Sequence, residues 1–346
     1  MDAAVVRMSV ESALGERVTD VQSIARSGER LPDVWKVRTE CRTLAVKRQV
    51  FASIVAGSSH DLLQVEADVS GRLIAAGCRV AGVLAVDAGN DLVVLEWCGD
   101  QTLDDVCQQS VEGAEAVRKP FVNAFVGIEA ALAAARGEFA DRCFPGCEPT
   151  ALRASWRNAV GDVVAVMPGL LEKTDGLDFG QQASWLALVA RLGEAPPTLG
   201  ALDYNARNVV VDKSGMPTFL EFSKIGWDWP ERRLVQYGTS LGSGRPDGLP
   251  VCLVDGAAAN AYASGAAAWR GVLERDILTL LDGHDLVFHL VAAARLLQAS
   301  ADSRRSTRWP NLDARLGRVM ETLGRPLSDD DEIGCLRAEF SGRAKI

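Results

Sequence analysis

Leu199–Trp229 reads LGALDYNARNVVVDKSGMPTFLEFSKIGWDW, and two short apolar runs within this stretch predict a β-hairpin. The runs are Asn208–Val211 and Pro217–Phe222, and both are rich in residues that favour strands. Between them, Lys213-Ser214-Gly215 is typical of a turn. Because a hairpin brings its outer ends together, we expect polar residues from its two flanks to meet.

The flanks of this hairpin carry chemically capable side chains. They are Asp203, Asn205, Arg207 and Asn208 before it, and Glu221, Ser223 and Lys224 after it. An aspartate that acts as a base, with an asparagine and a second carboxylate on a divalent metal, is the polar set that phosphoryl transfer needs. Two ordinary surface loops beside a hairpin would give the same pattern, since polar residues five positions apart are common.

Length, composition and net charge indicate a folded globular protein rather than a nucleic-acid or membrane binder. The chain has 346 residues, enough for two lobes or domains with a substantial core. Hydrophobic residues make up 48% and charged residues 24%, which is typical of a folded globular protein. The net charge of −9 disfavours a nucleic-acid or anionic-membrane binder and suits cationic small-molecule substrates. No uninterrupted apolar segment is as long as a bilayer span requires.

The cysteines and histidines give no metal-binding pattern. Of eight scattered cysteines only Cys143 and Cys147 are close in sequence, and none of the three histidines is near them. The cysteines therefore predict buried or free thiols in a reducing compartment. The first residues, MDAAVVRMSVESALGER, lack the basic start and apolar core of a secretion signal. We expect a cytoplasmic protein.

The first hundred residues predict a small sheet with one inserted helix. The helix is Asp61–Ala76, and the predicted strands are Val18–Ile24, Val34–Arg38, Thr43–Arg48, Val80–Val86 and Leu92–Leu95. Lys47 lies on the third strand and Glu66 in the second turn of the helix. Paired, they would hold the lysine ready for a phosphate, as phosphotransferases do. A solvated strand lysine and a surface glutamate are the alternatives.

A change of pattern follows the fifth strand. Glu96-Trp97-Cys98-Gly99 predicts a hinge against which a purine can lie through backbone hydrogen bonds. Beyond it the periodicity is helical, over Asp104–Gln109, Ala114–Phe139, Ala151–Val166, Phe179–Leu192, Glu231–Gly238, Val251–Leu273, Glu274–Leu281, His284–Ala299 and Leu312–Leu323. We therefore predict a nucleotide-covering lobe over residues 1–98 and a helical lobe with the hairpin and an acceptor cleft over residues 99–346.

Several segments together resemble the aminoglycoside phosphotransferase and choline-kinase-like family, which has the protein-kinase-like fold. They are SGERLPDVWKV from Ser27, LAVKR with Lys47, and LVVLEWCGDQTLDD across the hinge. The family's catalytic segment, H-G-D-L-x-P-x-N-V-L-V-D, corresponds to Ala201–Asp212, and its metal-binding I-D-[FW] segment to Leu220-Glu221-Phe222. The resemblance runs from about Val18 to the helix around Phe288.

This resemblance implies a fold, a reaction and a site. The fold is α+β, with a small five-stranded antiparallel-type N-lobe, one inserted helix and a larger helical C-lobe. The reaction is transfer of the γ-phosphate of ATP or GTP, with Mg²⁺, to a hydroxyl of a small molecule. By the match Asp203 is the catalytic aspartate and Asn208 and Glu221 are metal ligands. The residues expected to bind the nucleotide are Lys47, Glu66, Ser27, Gly28, Glu96, Trp97 and Cys98.

Three positions depart from the family pattern and leave a second hypothesis open. Ala201 replaces a histidine, Glu221 replaces an aspartate, and Arg233 stands where an aspartate usually braces the catalytic loop. An impaired pseudokinase that binds nucleotide or ligand as a regulatory module is therefore the alternative to an enzyme. No long activation segment follows Glu221, which favours a small acceptor over a protein. An aminoglycoside-like antibiotic, an amino alcohol and a sugar all fit, so antibiotic resistance is one expected role. The sequence specifies no oligomeric state.

Overall fold

A computed structural model describes residues 1–24, 33–51, 55, 60–171, 179–239, 252–301 and 312–342. These residues form two lobes, a small one built on an antiparallel sheet and a larger one made mostly of helices. The described helices are α1 Ala3–Leu14, α2 Leu62–Ala75, α3 Leu103–Gln109, α4 Val111–Ala134, α5 Arg136–Phe139, α6 Pro149–Leu171, α7 Phe179–Glu194, α8 Pro230–Gly238, α9 Gly256–Arg270, α10 Glu274–Ala301, α11 Leu312–Leu323 and α12 Asp331–Gly342. The predicted fold class is confirmed.

The small lobe contains a five-stranded sheet in the order β1-β2-β3-β5-β4, with every pair antiparallel. Its strands are β1 Val18–Ser23, β2 Val34–Thr39, β3 Thr43–Arg48, β4 Val83–Asp87 and β5 Leu92–Glu96. The remaining described strands, all in the larger lobe, are β6 Gln101–Thr102, β7 Thr198–Ala201, β8 Val209–Val211, β9 Pro217–Phe219 and β10 Ile225–Asp228.

Alternation along the strands decides which side chains reach the second lobe. Leu44 and Val46 of β3 are fully buried in one cluster with Val6 and Val10 of α1. Because successive strand residues point to opposite faces, Lys47 lies on the other face of the sheet. There its neighbours across the ladder are Val34 and Val93. The alternation therefore places Lys47 on the sheet face that looks toward α2 and the larger lobe.

Helix α2 is capped by Asp61, whose carboxylate accepts hydrogen bonds from the backbone N–H groups of Leu63 and Gln64 at 3.0 and 3.1 Å. Its apolar side, with Val65, Val69 and Leu73, is buried in the largest core cluster of the protein. This packing turns Glu66, in the second turn, into the interior, where only 2% of it is exposed.

Two small antiparallel sheets lie in the larger lobe. β8 and β9 form the predicted hairpin, with Val209 opposite Phe219, and β6 pairs with the outer edge of β8. The second sheet pairs β7 with β10, with Ala201 opposite Ile225 and Thr198 opposite Asp228. The hairpin and this second sheet enclose the segment from Leu202 to Asn208, so that the strands hold both of its ends.

Some element boundaries differ from the prediction. The predicted helix Ala114–Phe139 is divided into α4 and α5. The two helices predicted over Glu274–Leu281 and His284–Ala299 are one continuous helix, α10, because Gly283 between them packs closely against Leu188 and Leu192 of α7 rather than ending the helix. The division into lobes at residues 98 and 99 stays a prediction.

By length and composition alone, one described helix could cross a membrane. It is the window Glu274–Ala299 of α10, with a mean hydropathy of 1.4. Of this window 67% is buried inside the protein, against other helices of the larger lobe. Asp282, His284 and Asp285 interrupt this window, so the expectation about uninterrupted apolar segments stays a prediction.

Candidate active site

A cleft of about 560 Å³ lies between the sheet and the β8–β9 hairpin. Four of the predicted site residues outside the hinge line it together: Lys47, Glu66, Asn208 and Glu221. The hinge residues Glu96, Trp97 and Cys98 line the same cleft, with Ala45, Leu95 and Leu220 as apolar neighbours. The predicted nucleotide contacts Ser27 and Gly28 lie outside the described residues. One apolar cleft with a few convergent polar groups is the usual form of a small-molecule site.

Lys47 is held between two carboxylates. Its Nζ forms a close ion pair with Oε2 of Glu221 and lies 3.8 Å from Oε2 of Glu66. Glu66 also accepts a hydrogen bond from the side-chain amide of Gln49. The lysine is thus aimed into the cleft from the sheet, one carboxylate coming from α2 and the other from the segment after β9.

The electrostatics of this group follow from burial and from these pairings. Burial alone would lower the pKa of Lys47, but the attraction of Glu66 and Glu221 outweighs it and the pKa is raised, so the ammonium is charged. Burial raises the pKa of Glu66 to about 7, opposed by the attraction of Lys47 and reinforced by the like charge of Glu221. Lys47 cannot fully compensate Glu66, since its closer partner is Glu221.

Asp203 is the second residue of the loop that joins β7 to β8. Its carbonyl accepts hydrogen bonds from the backbone N–H of Asn205 at 2.9 Å and from Nδ2 of Asn208 at 3.2 Å. Asn205 in turn caps a short 3₁₀ turn by accepting from the N–H of Arg207 at 3.0 Å. These local bonds fix the backbone of Asp203 and leave its side chain 35% exposed. A carboxylate so placed can accept a proton from a hydroxyl that approaches it.

Lys224 lies beside Asp203 because of strand register. Ala201 ends β7 opposite Ile225, which begins β10, and the N–H of Leu202 donates to the carbonyl of Lys224 at 3.0 Å. One step beyond that pair, Leu202 is opposite Lys224, so Asp203, the residue after Leu202, lies diagonally across from Lys224. Lys224 Nζ lies 3.4 Å from Oδ2 of Asp203.

Asn208 and Glu221 are joined by the hairpin. The carbonyl of Asn208 accepts from the N–H of Leu220 at 2.8 Å, so that Glu221 directly follows the residue bonded to Asn208. Since Nδ2 of Asn208 donates to Asp203, its Oδ1 is the atom available as a ligand. Glu221 adopts a left-handed backbone with a φ of 70°, which is uncommon for a residue other than glycine.

The donor set fits Mg²⁺ that arrives with phosphates. Within the described ranges, no group of three or more His, Cys, Asp or Glu side chains could hold a metal by itself. One amide oxygen and one carboxylate beside a phosphate chain are a usual protein share of a Mg²⁺ site, since this ion keeps its waters and takes phosphate oxygens. Asn208 and Glu221 supply those two hard oxygen donors on one wall of the cleft.

Residues of the five-stranded sheet and its connections contact the hinge and the residue after it. The Glu96 carboxylate accepts from the N–H of Gly82 at 3.2 Å, and the N–H of Glu96 donates to the carbonyl of Gly82 at 3.0 Å, so both bonds hold Glu96 to the sheet side. Lys36 of β2 forms an ion pair with Asp100, and its Nζ lies 4.4 Å from the centre of the Trp97 ring. The Cys98 thiol donates to the carbonyl of Glu96 at 3.6 Å, and burial, then Glu96, raises its pKa to about 11.

Arg233, which stands where the family pattern has an aspartate, forms a buried ion pair with Glu129. Arg233 is fully buried on α8 and its Nε donates to Glu129 of α4 at 2.8 Å. Its Nη1 donates to the carbonyl of Asp228 at 3.0 Å. These bonds hold α4, α8 and the β7–β10 sheet, and none reaches the loop of Asp203. Ala201, at the usual histidine position, is itself buried in the core cluster.

Other side chains hold the loop instead. The Tyr204 hydroxyl donates to Oδ2 of Asp228 at 2.5 Å, and Arg232 pairs with the same carboxylate at 3.1 Å. His60, just before α2, has Nε2 at 3.0 Å from the carbonyl of Ser223 and Nδ1 at 3.1 Å from that of Arg142. The helix that carries Glu66 is thereby tied to the segment that carries Glu221.

Sequence reasoning missed Glu129, Asp228 and the role of His60. Glu129 carries a usable signal, because it is one acid among Phe125, Ile128 and Leu132 on the buried side of α4. Such a charge requires a buried partner. Arg233 lies 104 residues away from it in the chain, so the identity of the partner had no local signal.

The comparisons with known proteins concern the fold. No protein-family model matches the sequence, and no curated protein matches it. Among solved structures, a macrolide 2′-phosphotransferase from Brachybacterium faecium has 12% identity and a TM-score of 0.53, with 90% of this chain and 97% of the other covered. An aminoglycoside phosphotransferase from Alicyclobacillus acidocaldarius has 12% identity and a TM-score of 0.54, with 96% and 95% covered.

A third solved structure, the AMP-bound complex of a spectinomycin phosphotransferase, has 9% identity and a TM-score of 0.53, with 93% and 98% covered. The chain thus has the protein-kinase-like fold in the form found in these antibiotic phosphotransferases, over nearly its whole length. The predicted resemblance is confirmed at the level of the fold. Identities this low show the fold alone, so the reaction has to be argued from the residues of this chain.

Proposed function

We propose that this protein transfers the γ-phosphoryl group of ATP or GTP, with Mg²⁺, to a hydroxyl of a small molecule. The observation that supports this is the convergence of Lys47, Asn208 and Glu221 on one cleft, with Asp203 in the loop that leads to Asn208. Phosphoryl transfer needs little covalent help from a protein, because positioning and charge neutralisation do most of the work. All the groups for that task are present.

Each residue has a task that its position allows. The hinge backbone at Glu96–Cys98 would take the purine, and Lys47 would contact the phosphates in place of its present partner Glu221. Asn208 and Glu221 would hold Mg²⁺, which when bound neutralises phosphate charge. Asp203 would orient the acceptor hydroxyl and accept its proton. Glu66 keeps Lys47 in place from behind, as their separation of 3.8 Å permits.

The acceptor is a small hydroxylated molecule bound between the Asp203 loop and the late helices. The neighbours in fold are named for a macrolide, aminoglycosides and spectinomycin, so a molecule of that size is a reasonable first choice. The net charge of −9 suits a cationic acceptor, and neutral sugars or amino alcohols are also compatible. The eight cysteines are all free, in keeping with a reducing, cytoplasmic compartment.

The comparisons with known proteins give no support to the pseudokinase alternative. It also predicts that charges at an abandoned site lose their partners, whereas Lys47 still has both of its carboxylates. Arg233, the charge reversal that first suggested loss of function, is neutralised by Glu129 and serves the packing of α4 against α8. We therefore propose the enzyme and leave the alternative as an outcome of the test.

A thermal-shift titration with ATP and GTP, with and without Mg²⁺, tests this proposal. A ligand that binds only the folded protein stabilises it by mass action, by about 2.7 kcal/mol at a concentration 100 times Kd. We expect a rise in Tm that is larger with Mg²⁺, and loss of the Mg²⁺ increment in Asn208→Leu. Asn205→Ala, in the same loop, is the matched control and should keep that increment.

Two outcomes would count against the proposal. A rise in Tm that is indifferent to Mg²⁺ would indicate a pseudokinase that binds nucleotide without a working metal site. No rise with either nucleotide would leave the protein with the fold and without the proposed cofactor.

A further inference from the structure

Lys224 is a charged residue beside the candidate reaction centre that the proposed function leaves without a task. Its Nζ is 3.4 Å from Oδ2 of Asp203, and its side chain is 15% exposed, against 35% for Asp203. Within the described ranges, no other hydrogen bond or ion pair to the Asp203 carboxylate is found. The carboxylate is therefore open to a substrate on one side and faces an ammonium on the other.

Two contacts restrict the position of the Lys224 ammonium group. The Lys224 carbonyl accepts from the N–H of Leu202, which holds the backbone at the end of the β7–β10 pair. The aromatic ring of Phe51 lies 3.6 Å from Nζ and covers one side of it. With the backbone fixed and one side covered, the ammonium remains beside Asp203.

A purely structural ion pair is the simpler explanation, but it accounts poorly for this site. Ion pairs with a solvent-exposed partner contribute about 0–1 kcal/mol, and Asp203 is already fixed by the backbone bonds of its loop. In addition, a lysine that neutralises a proton-accepting aspartate works against that aspartate unless the lysine has another partner during the reaction.

We propose that Lys224 binds the γ-phosphoryl group of the nucleotide. This inference rests on the proposed function and deepens it. A hydroxyl held by Asp203 for in-line attack lies against the γ-phosphorus, so a cation 3.4 Å from Asp203 is within reach of the phosphoryl oxygens. Lys47 approaches the phosphates from the sheet, and Lys224 approaches from the opposite lobe.

The phosphoryl group moves by in-line displacement. The acceptor oxygen forms a bond to the γ-phosphorus, and the bond from that phosphorus to the β–γ bridging oxygen breaks. The hydroxyl proton goes to Asp203, and the nucleoside diphosphate leaves with the electron pair. Lys224 moves its hydrogen bond from Asp203 to a phosphoryl oxygen when the nucleotide binds, which frees the carboxylate to act as the base and places positive charge on the group in transfer.

Nucleotide binding tests this without any acceptor. Isothermal titration would compare the Kd for ADP and for AMP-PNP, a non-hydrolysable ATP analogue, both with Mg²⁺. The protein and Lys224→Met would be measured together with Lys213→Met, an exposed lysine in the β8–β9 turn, as the matched control. We expect Lys224→Met to weaken AMP-PNP binding by about 10-fold or more, the usual size of a charged hydrogen bond, and to change ADP binding by less than about 2-fold.

The remaining outcomes are distinct. Lys224→Arg should retain most of the preference for the triphosphate, and Lys224→Gln replaces Lys224→Met if the methionine variant fails to fold. An unchanged AMP-PNP affinity in Lys224→Met, or an equal loss for both nucleotides, would overturn the role of Lys224 while nucleotide binding stands. Failure of the unmodified protein to bind either nucleotide would instead overturn the proposed function, and this inference with it.

Discussion

Among single residues, Glu221 links local backbone geometry most directly to site chemistry. Its left-handed φ of 70° is a conformation in which aspartate and asparagine are enriched several-fold over other residues with a side chain. Local conformation therefore favours the family's aspartate at this position. The chain nevertheless has glutamate, and the longer side chain reaches Lys47. The additional methylene of glutamate, compared with aspartate, extends the carboxylate toward Lys47.

We predict that Glu221→Asp lowers kcat by about 100-fold, because a carboxylate withdrawn by roughly one ångström misplaces both the metal and Lys47. Tm should remain within a few degrees, since aspartate suits the backbone. Steady-state kinetics and a melting curve measure the two effects. A gain in turnover would mean that the site is impaired for want of an aspartate, as the pseudokinase hypothesis holds.

For single residues, the sequence predicted which residues belong to the candidate site, and the structure shows which side chains contact one another. Lys47, Glu66, Asp203, Asn208 and Glu221 could be found because each occupies a recognisable place in a strand, helix or hairpin pattern. The contact of Lys224 with Asp203 depends on the register of β7 against β10. Neither strand was predicted, so the sequence named Lys224 and could not give it a partner.

At the scale of elements, the pair Arg233–Glu129 joins helices α8 and α4 beneath the candidate site. The guanidinium lies so close to Gly200 that a Cβ there would be 2.4 Å from its Cζ, so β7 has to present a glycine. Arg233 and Glu129 are 0% and 2% exposed. Burial would lower the pKa of Arg233, but the attraction of Glu129 outweighs it and the pKa is raised, which keeps the guanidinium charged.

For this pair we predict strong coupling. Glu129→Gln should cost about 3–5 kcal/mol in the free energy of unfolding, because it leaves a buried guanidinium without its counter-charge. The double variant Glu129→Leu with Arg233→Met should be less destabilised than the sum of its two single variants. Urea denaturation gives all the free energies, and the double-mutant cycle isolates the coupling. Additive effects would show that the two side chains act independently.

The sequence predicted elements with a clear hydrophobic period better than strands that depend on pairing with a distant segment. Strand β3 and helix α11 begin and end as predicted, because they are long enough for a clear period. Strands β6, β7 and β10 have two to four residues and were missed. Thr198–Ala201 contains glycine and alanine and has no strand-like alternation, so only pairing with β10 makes it a strand.

At the scale of the whole molecule, acid stability depends on a histidine in the larger lobe. His284 of α10 is 2% exposed and lies between Trp156 and Trp229, whose ring centres are each 5.4 Å from its own. Its Nε2 has no hydrogen-bond partner among the described residues. Burial, then the charges of Arg232 and Arg270, lowers the pKa of His284 to about 3.

The sign of the resulting pH dependence follows from linkage. The unfolded chain takes up a proton at this histidine near pH 6.5, and the folded protein only near pH 3, so stability falls as the pH drops between these values. The slope from one proton is about 1.4 kcal/mol per pH unit. We predict that His284→Phe removes this part of the slope in urea denaturation between pH 6.5 and pH 4.5. Equal slopes in the two proteins would contradict the assignment.

The most direct test of the central claim is transfer of labelled γ-phosphate from ATP or GTP, with Mg²⁺, to a panel of macrolides, aminoglycosides, amino alcohols and sugars. We predict labelled product with at least one of these classes. Asp203→Asn, which keeps the shape of the side chain, should lower kcat by about 100-fold or more and leave nucleotide affinity within a few-fold. Transfer at an undiminished rate in Asp203→Asn, or nucleotide binding with no labelled product across the panel, would contradict the account.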